Sequence, residues 1–137
     1  MEVGASLVAF IGFGLASIKT SCQFVSSIKD GPEKLRDLGR VLASLRAAYE
    51  HTSSLGGSHG STCSSQSLVH LIRQCNEDVS RFETKIGRLS IQPRDRMHGI
   101  LWKRLKVAIN EKDVAHMLSV MSGYLNALTL EISVIHL

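Results

Sequence analysis

The stretch that decides the fold is Met1–Ile18, MEVGASLVAFIGFGLASI, which holds one charged residue, Glu2, before Lys19 opens a more polar pattern. A helix that is apolar on every side is buried either in protein or in lipid. Four small residues follow at steps of four, three and four and therefore share one helical face: Ala5, Ala9, Gly12 and Ala16. Such a face lets a second helix approach closely, which is the packing mode favoured inside membranes.

Apolar residues recur at alternating steps of three and four along the rest of the chain, and this spacing predicts amphipathic helices packed at small crossing angles. We predict an all-α antiparallel bundle of four long helices at about 3–29, 33–52, 66–90 and 111–136, with a short fifth helix at about 97–109. The core positions taken from the spacing are Leu42, Leu45, Ile72, Val79, Phe82, Leu118, Leu125 and Ile132.

Turn residues mark the boundaries of these helices. Asp30-Gly31-Pro32 separates the first two, because glycine ends helices and proline suits a first helical turn. A Gly/Ser-rich stretch predicts a flexible loop at about 53–65. Asn110 and Asp113 form a capping-box-like start to the last helix. No internal repeat or long linker divides the chain, so residues 1–137 are predicted to be a single domain.

The charge of the chain is unevenly distributed. The net charge is +4 over 137 residues, but the stretch from Arg88 to Lys106 alone has six bases and one acid, a local charge of +5. A basic patch of this kind attracts phosphate-rich surfaces, lipid or nucleic acid. Its members are Arg88, Arg94, Arg96, Lys103, Arg104 and Lys106, and Trp102 beside them is either an anchor at a membrane interface or a plug at one end of the bundle.

The sequence offers little for catalysis, a cofactor or a metal. Gly12–Ser17 is only a partial dinucleotide-binding motif, since it follows no strand. His59 and Cys63 lack two further metal ligands at suitable spacing, and three cysteines make no disulfide framework. We therefore expect no enzyme activity, no cofactor and no metal. The patch contains one aromatic residue and no recognition-helix motif, so we expect no nucleic-acid partner.

Two segments resemble a known family. The opening MEVGASLVAFIGFGLASIKTSCQFVSSIKDGPEKLRDL and the later LWKRLKVAINEKDVAHMLSVMSGYLNALTLEISVI resemble the HeLo-like N-terminal domain of fungal STAND (NOD-like) receptors. That resemblance covers nearly the whole chain and implies a helical bundle ahead of a nucleotide-binding oligomerisation domain. It also implies a domain that is cytoplasmic at rest and, once activated, oligomerises, moves to the plasma membrane and permeabilises it, causing regulated cell death.

The family's membrane-active element is its first helix, which corresponds here to Val3–Ile18. The residues carried over are Val3, Gly4, Ala5, Leu7, Val8, Ala9, Phe10, Ile11, Gly12, Phe13, Gly14, Leu15, Ala16 and Ile18. This segment alone is about four residues short of the ~20 that a spanning helix needs. Gly4, Gly12 and Gly14 depart from a strong helix-forming pattern, because glycine lowers helix propensity.

Two functions remain open at this point. In the first, the domain is a lethal effector whose partners are other copies of itself and anionic membrane lipid. In the second, it is a non-lytic signalling bundle that recruits a partner helical domain. Vesicle leakage separates them, because an interaction module leaves vesicles intact.

Overall fold

The computed structural model describes residues 3–28, 31–59, 66–87 and 109–135. Within these ranges the chain is helical and holds no strand. The helices are α1 (Val3–Ser26), α2 (Glu33–His59), α3 (Gln66–Gly87) and α4 (Glu111–Ile135). The all-α prediction is therefore confirmed for the described residues. The short helix predicted at about 97–109 lies outside them, apart from Ile109, which is buried.

The predicted loop at about 53–65 is wrong over its first half, because α2 continues to His59. Thr52 is buried, and its hydroxyl donates to the Ala48 carbonyl at 2.8 Å, so the last packed turn keeps its polar group inside the helix. Adding a residue to an existing helix costs far less free energy than nucleating a new helix. A Ser/Gly-rich segment can therefore continue a helix that the packed residues before it have already formed. Residues 60–65 lie outside the described part.

The start of α4 matches the local prediction. The Asp113 amide donates to Asn110 Oδ1 at 2.9 Å, and the Asn110 amide donates to Asp113 Oδ2 at 3.1 Å. This reciprocal pair satisfies two of the amide groups that a helix start leaves without partners. The capping box is therefore confirmed.

One hydrophobic core runs through the four helices. The predicted core residues of α2 and α3 are buried: Leu42, Leu45, Ile72, Val79 and Phe82. On α4 the prediction is wrong about which positions of the apolar stripe are enclosed, because Leu118, Leu125 and Ile132 are only partly buried against the core. The buried residues of that helix are Val114, Met121 and Leu128, at steps of seven. Since α4 packs extensively on α2 and only thinly on α3, one narrow stripe is enclosed and its neighbours lie at the edge.

Side-chain contacts give the direction of each helix. The pair α1 and α2 runs antiparallel, since Gly14 lies against Tyr49 while Cys22 lies against Gly39. The pair α3 and α4 is antiparallel too, with Ser67 bonded to Glu131 and Tyr124 bonded to Asp78. In contrast α1 runs parallel to α3, which it contacts as extensively as α2. Thus α1 lies in the groove between α2 and α3, and its opposite side contacts none of the described helices.

Candidate functional site

The two faces of α1 differ in exposure but both are apolar over its first half. The inner face is buried against α2 and α3 and holds Ile11, Gly14, Ser17, Ile18, Ser21 and Val25. The outer face of α1, defined here as Val8, Ala9, Gly12, Phe13 and Ala16, is exposed. Phe13 is 63% exposed and Val8 is 50% exposed. Beyond Ala16 the exposed positions become polar, at Thr20, Gln23 and Ser26.

Three of the four residues of the small-residue face noted in the sequence lie on this outer face. Ala9, Gly12 and Ala16 are exposed, and a Cβ added at Gly12 would meet no atom within 4 Å. The surface is therefore open to another helix or to lipid. Leu130 on α4 is the other large apolar side chain that is exposed among the described residues, and α1 thus carries most of this kind of surface.

A buried polar contact holds the inner face of α1 in place. The Asn76 amide of α3 donates from Nδ2 to the Phe10 carbonyl at 2.7 Å. The Tyr49 hydroxyl of α2 donates to Asn76 Oδ1 at 2.6 Å and lies 3.5 Å from the Ile72 carbonyl. One asparagine therefore links three helices, and both halves of its amide group have partners, as burial requires.

Gly14 makes this contact possible. A Cβ at Gly14 would lie 1.9 Å from Asn76 Oδ1 and 2.7 Å from Tyr49 Cε2, which is closer than atoms can approach. Only glycine allows the backbone of α1 to come so near to the polar pair. The sequence interpretation of Gly14 as a weakness in helix propensity thus missed its role as a contact residue.

Further along α1, two serines face the bundle. The buried Ser17 hydroxyl donates to Glu83 Oε1 of α3 at 3.0 Å. Ser21 is fully buried, and within the described residues its hydroxyl has no hydrogen-bond partner. Burying a hydroxyl without a partner is unfavourable, so this end of the interface is weaker than the same contact made with an apolar residue of equal size.

Burial also controls the titration of the groups beneath α1. It raises the pKa of the Cys75 thiol from 9.0 to about 11, and the Tyr49 hydrogen bond partly offsets this rise. Burial raises the pKa of Tyr49 well above its ordinary value, with a further contribution from Cys75. On the α4 side, burial and the hydrogen bond to Asp78 raise the pKa of Tyr124. These groups are neutral at physiological pH, and none is a primed nucleophile.

The basic patch and Trp102 lie outside the described residues, so their roles stay predictions. The residues that sequence reasoning missed are Tyr49, Asn76 and Glu83. Asn76 is a polar residue directly beside the apolar stripe of α3, four residues after Ile72, and that position was the available signal.

Two further properties bear on function. One stretch of α1 is long and apolar enough to cross a membrane, judged by length and composition alone: the 19 residues Val8–Ser26, of which about a third are buried in the bundle. Core helices of soluble proteins and signal sequences meet the same two criteria. In the part of the chain that the structure describes, no three His, Cys, Asp or Glu side chains are grouped as a metal ion would require.

Comparison with known proteins gives one family. No curated protein matches the chain, and no solved structure matches it. The family model described as "Pigment biosynthesis cluster protein PigL N-terminal" matches residues 1–137. Because the match spans the whole chain, this protein belongs to the family of PigL N-terminal domains of pigment biosynthesis cluster proteins.

Proposed function

We propose that this chain is the N-terminal effector domain of a fungal NOD-like receptor. Downstream domains bring copies together, α1 exchanges the bundle for the plasma membrane, and the assembled helices permeabilise it and kill the cell. The observation that carries this proposal is the outer face of α1, which is apolar and exposed while the inner face is apolar and buried. The N-terminal position named in the family description fits an effector controlled by the domains that follow it.

The energetics favour a conditional release of α1. In the bundle, the outer face is in water, so its transfer to lipid gains about 25 cal/mol per Å² of apolar surface. The inner face exchanges one apolar environment for another, and Ser17 and Ser21 can bond to carbonyls of the preceding helical turn in lipid. The opposing cost is the loss of the Asn76 contact and the exposure of the core beneath α1. Release therefore needs an added driving force, which self-association on a membrane supplies.

The test uses a carboxylate on the outer face. An added Cβ at Gly12 meets no atom within 4 Å and Gly12 is exposed, so in Gly12→Glu the folded bundle accommodates the carboxylate in water. A carboxylate at the centre of an inserted helix costs roughly 2.5–3.5 kcal/mol, so we expect dye release from anionic vesicles to fall about 100-fold. The chain is fused at its C-terminus to a module that a small molecule oligomerises, and release is measured after that molecule is added. Ala9→Asp, also on the outer face, is a second variant with the same expected loss.

The matched control is Gly123→Glu, since Gly123 is an exposed glycine of α4 with nothing within 4 Å of an added Cβ. It makes the same chemical change on a helix that stays in the bundle, and it should leak like the parent. Thermal melts confirm that all variants are folded. If folded Gly12→Glu protein leaks as fast as the parent, α1 is not the membrane-active element.

The second candidate function is a non-lytic interaction module. The large exposure of Phe13 and Val8 favours it, because such side chains also anchor the helix of a protein partner. In that case vesicles remain intact after oligomerisation. Gly12→Glu then removes a bound helical partner and has no effect on membranes.

A further inference from the structure

A groove of about 520 Å³ lies beside the outer face of α1, between α1 and α3. Its α1 side is apolar and consists of Ala9, Phe10 and Phe13. Its α3 side is charged and includes Arg73, Glu77 and Arg81. An apolar wall that faces a charged wall suits an amphipathic ligand, with one part apolar and the other charged.

The three charged residues form a regular triplet. They follow at steps of four along α3, so they lie on one helical face, with about 12 Å between the first and last Cα atoms. All three side chains are exposed, in the order positive, negative, positive. The triplet is therefore not a simple basic patch, because the carboxylate at its centre repels anions and attracts cations.

Each arginine retains free hydrogen-bond donors. The Arg73 guanidinium lies 5.4 Å from the centre of the Phe10 ring, which fixes it at the edge of the apolar wall. Arg81 lies 3.6 Å from Asp78, yet its side chain is 75% exposed. The second carboxylate oxygen of Asp78 accepts from the Tyr124 hydroxyl. A guanidinium has five N–H donors, so a single contact with Asp78 leaves most of them for a ligand.

We propose that this groove binds the headgroup of phosphatidylserine. That headgroup carries a phosphate, a carboxylate and an ammonium group, which are two negative charges and one positive charge. Its charges complement those of the triplet, with the two anionic groups at Arg73 and Arg81 and the ammonium at Glu77. The acyl chains then lie along Phe13 and the rest of the outer face of α1. The folded domain thus docks with α1 and α3 flat on the bilayer before α1 leaves the bundle.

Phosphatidylglycerol is the discriminating comparison. It has the same net charge as phosphatidylserine but no ammonium, so it leaves Glu77 facing an anionic surface without a partner. A surface that responds to net charge alone would bind both lipids equally. This proposal rests on the proposed function only because both take a membrane as the partner. The preference for phosphatidylserine over phosphatidylglycerol does not depend on permeabilisation.

The experiment is co-sedimentation of the full chain with phosphatidylcholine vesicles that contain equal mole fractions of either phosphatidylserine or phosphatidylglycerol. We expect several-fold tighter binding to the phosphatidylserine vesicles. Arg73→Gln and Arg81→Gln should each weaken that binding about fivefold, the effect of one basic contact near an anionic surface. Glu77→Gln should abolish the difference between the two lipids, chiefly by strengthening binding to phosphatidylglycerol.

Matched controls come from α2, where Arg46 and Glu50 form an exposed ion pair at 3.2 Å. Arg46→Gln and Glu50→Gln make the same charge changes away from the groove and should alter neither affinity nor lipid preference. Equal binding to both lipids by the parent, or an unchanged preference in Glu77→Gln, would overturn the proposal. So would self-association without lipid that the groove variants abolish, since the groove would then be an interface between copies.

The outcomes also separate this proposal from the proposed function. Selective binding to phosphatidylserine without dye release keeps the headgroup site and rejects permeabilisation. Dye release that is blocked by Gly12→Glu but indifferent to the headgroup keeps permeabilisation and rejects the site. Absence of binding to any vesicle rejects both.

Discussion

Gly12 and Gly14 lie two residues apart in α1 and have opposite environments. Gly12 faces open space, whereas an added Cβ at Gly14 would overlap Asn76 and Tyr49. A propensity scale assigns both glycines the same cost, because it contains no information on neighbours. Their separate roles follow from the side of the helix on which each lies.

Replacing each glycine with alanine should change the free energy of unfolding in opposite directions. Gly12→Ala should stabilise the protein by roughly 0.5–1 kcal/mol, because it removes backbone entropy from the unfolded chain without a new contact. Gly14→Ala should destabilise it by about 1–3 kcal/mol, because α1 must shift away from Asn76. Urea unfolding followed by circular dichroism measures both changes. A stabilising Gly14→Ala would show that α1 does not approach Asn76 this closely.

The buried acids beneath α1 predict a loss of stability at alkaline pH. Cys75 is neutral in the folded protein up to about pH 11, whereas its ordinary pKa is 9.0. A raised pKa contributes stability that is fully present below the unfolded pKa and is lost as pH rises through the folded pKa. The free energy of unfolding should therefore fall between about pH 9 and pH 11, with Tyr49 adding to the loss.

Urea midpoints at about pH 8 and about pH 10 measure this effect. Cys75→Ala should lose less stability over that interval than the parent, since one of the titrating groups is gone. Equal midpoints for the parent at both pH values would contradict the burial of these groups.

Local residue contacts could be predicted from sequence, and distant ones could not. Asn110 and Asp113 are three residues apart, so their types and spacing suffice to predict the cap. The Asn76 amide and the Phe10 carbonyl are 66 residues apart, and their meeting depends on how α1 and α3 pack. A polar residue beside an apolar stripe signals a buried partner but does not identify it.

At the scale of the element, α4 shows what apolar spacing predicts and what it leaves open. The alternating steps correctly predict a helix and its apolar side. They do not distinguish Leu128, which is buried, from Leu125, which is only partly buried, because both belong to the same sequence stripe. That choice depends on the neighbours of α4, and its closest neighbour among the described helices is α2.

The choice of Leu128 over Leu125 as the buried residue gives a second stability prediction. Leu128→Ala should cost about 2–5 kcal/mol, the range for a buried leucine that leaves a cavity. Leu125→Ala should cost clearly less, because its site is open to solvent and leaves no enclosed cavity. Urea unfolding of the two variants makes the comparison directly. A larger loss of stability for Leu125→Ala would show that Leu125 is the core residue, as predicted from sequence.

At the scale of the whole molecule, the order of packing makes α1 the helix that we propose is released. It lies between α2 and α3, and its outer face has no neighbour among the described helices. Sequence predicts that consecutive helices run antiparallel, which makes α1 parallel to α3, but it does not predict that these two helices pack against each other. That arrangement creates both the Asn76 contact and the groove with its charged triplet.

The extent of the segment that leaves the bundle can be tested with a covalent tether. Cys22 Sγ lies 3.7 Å from the Gly39 carbonyl, so Gly39→Cys places a second thiol close to the first, with a shift of a few tenths of an ångström at Val25. Cys63→Ser removes a competing thiol. A spanning helix needs ~20 residues, so Val3–Ile18 is too short, and a stretch from Val3 that is long enough includes Cys22, which must then leave α2.

Dye release should therefore stop when this disulfide forms and return when it is reduced, while oxidation of the protein without Gly39→Cys changes nothing. Reversal by a reductant shows that the substitution itself did no harm, and mass spectrometry measures the fraction that is crosslinked. Full leakage from crosslinked protein would limit the membrane-active part to the residues before Cys22. A segment that begins at Val3 and is tied to α2 at Cys22 has 19 free residues, just below the ~20 of a spanning helix, so permeabilisation would then proceed with thinning of the bilayer or by insertion into one leaflet.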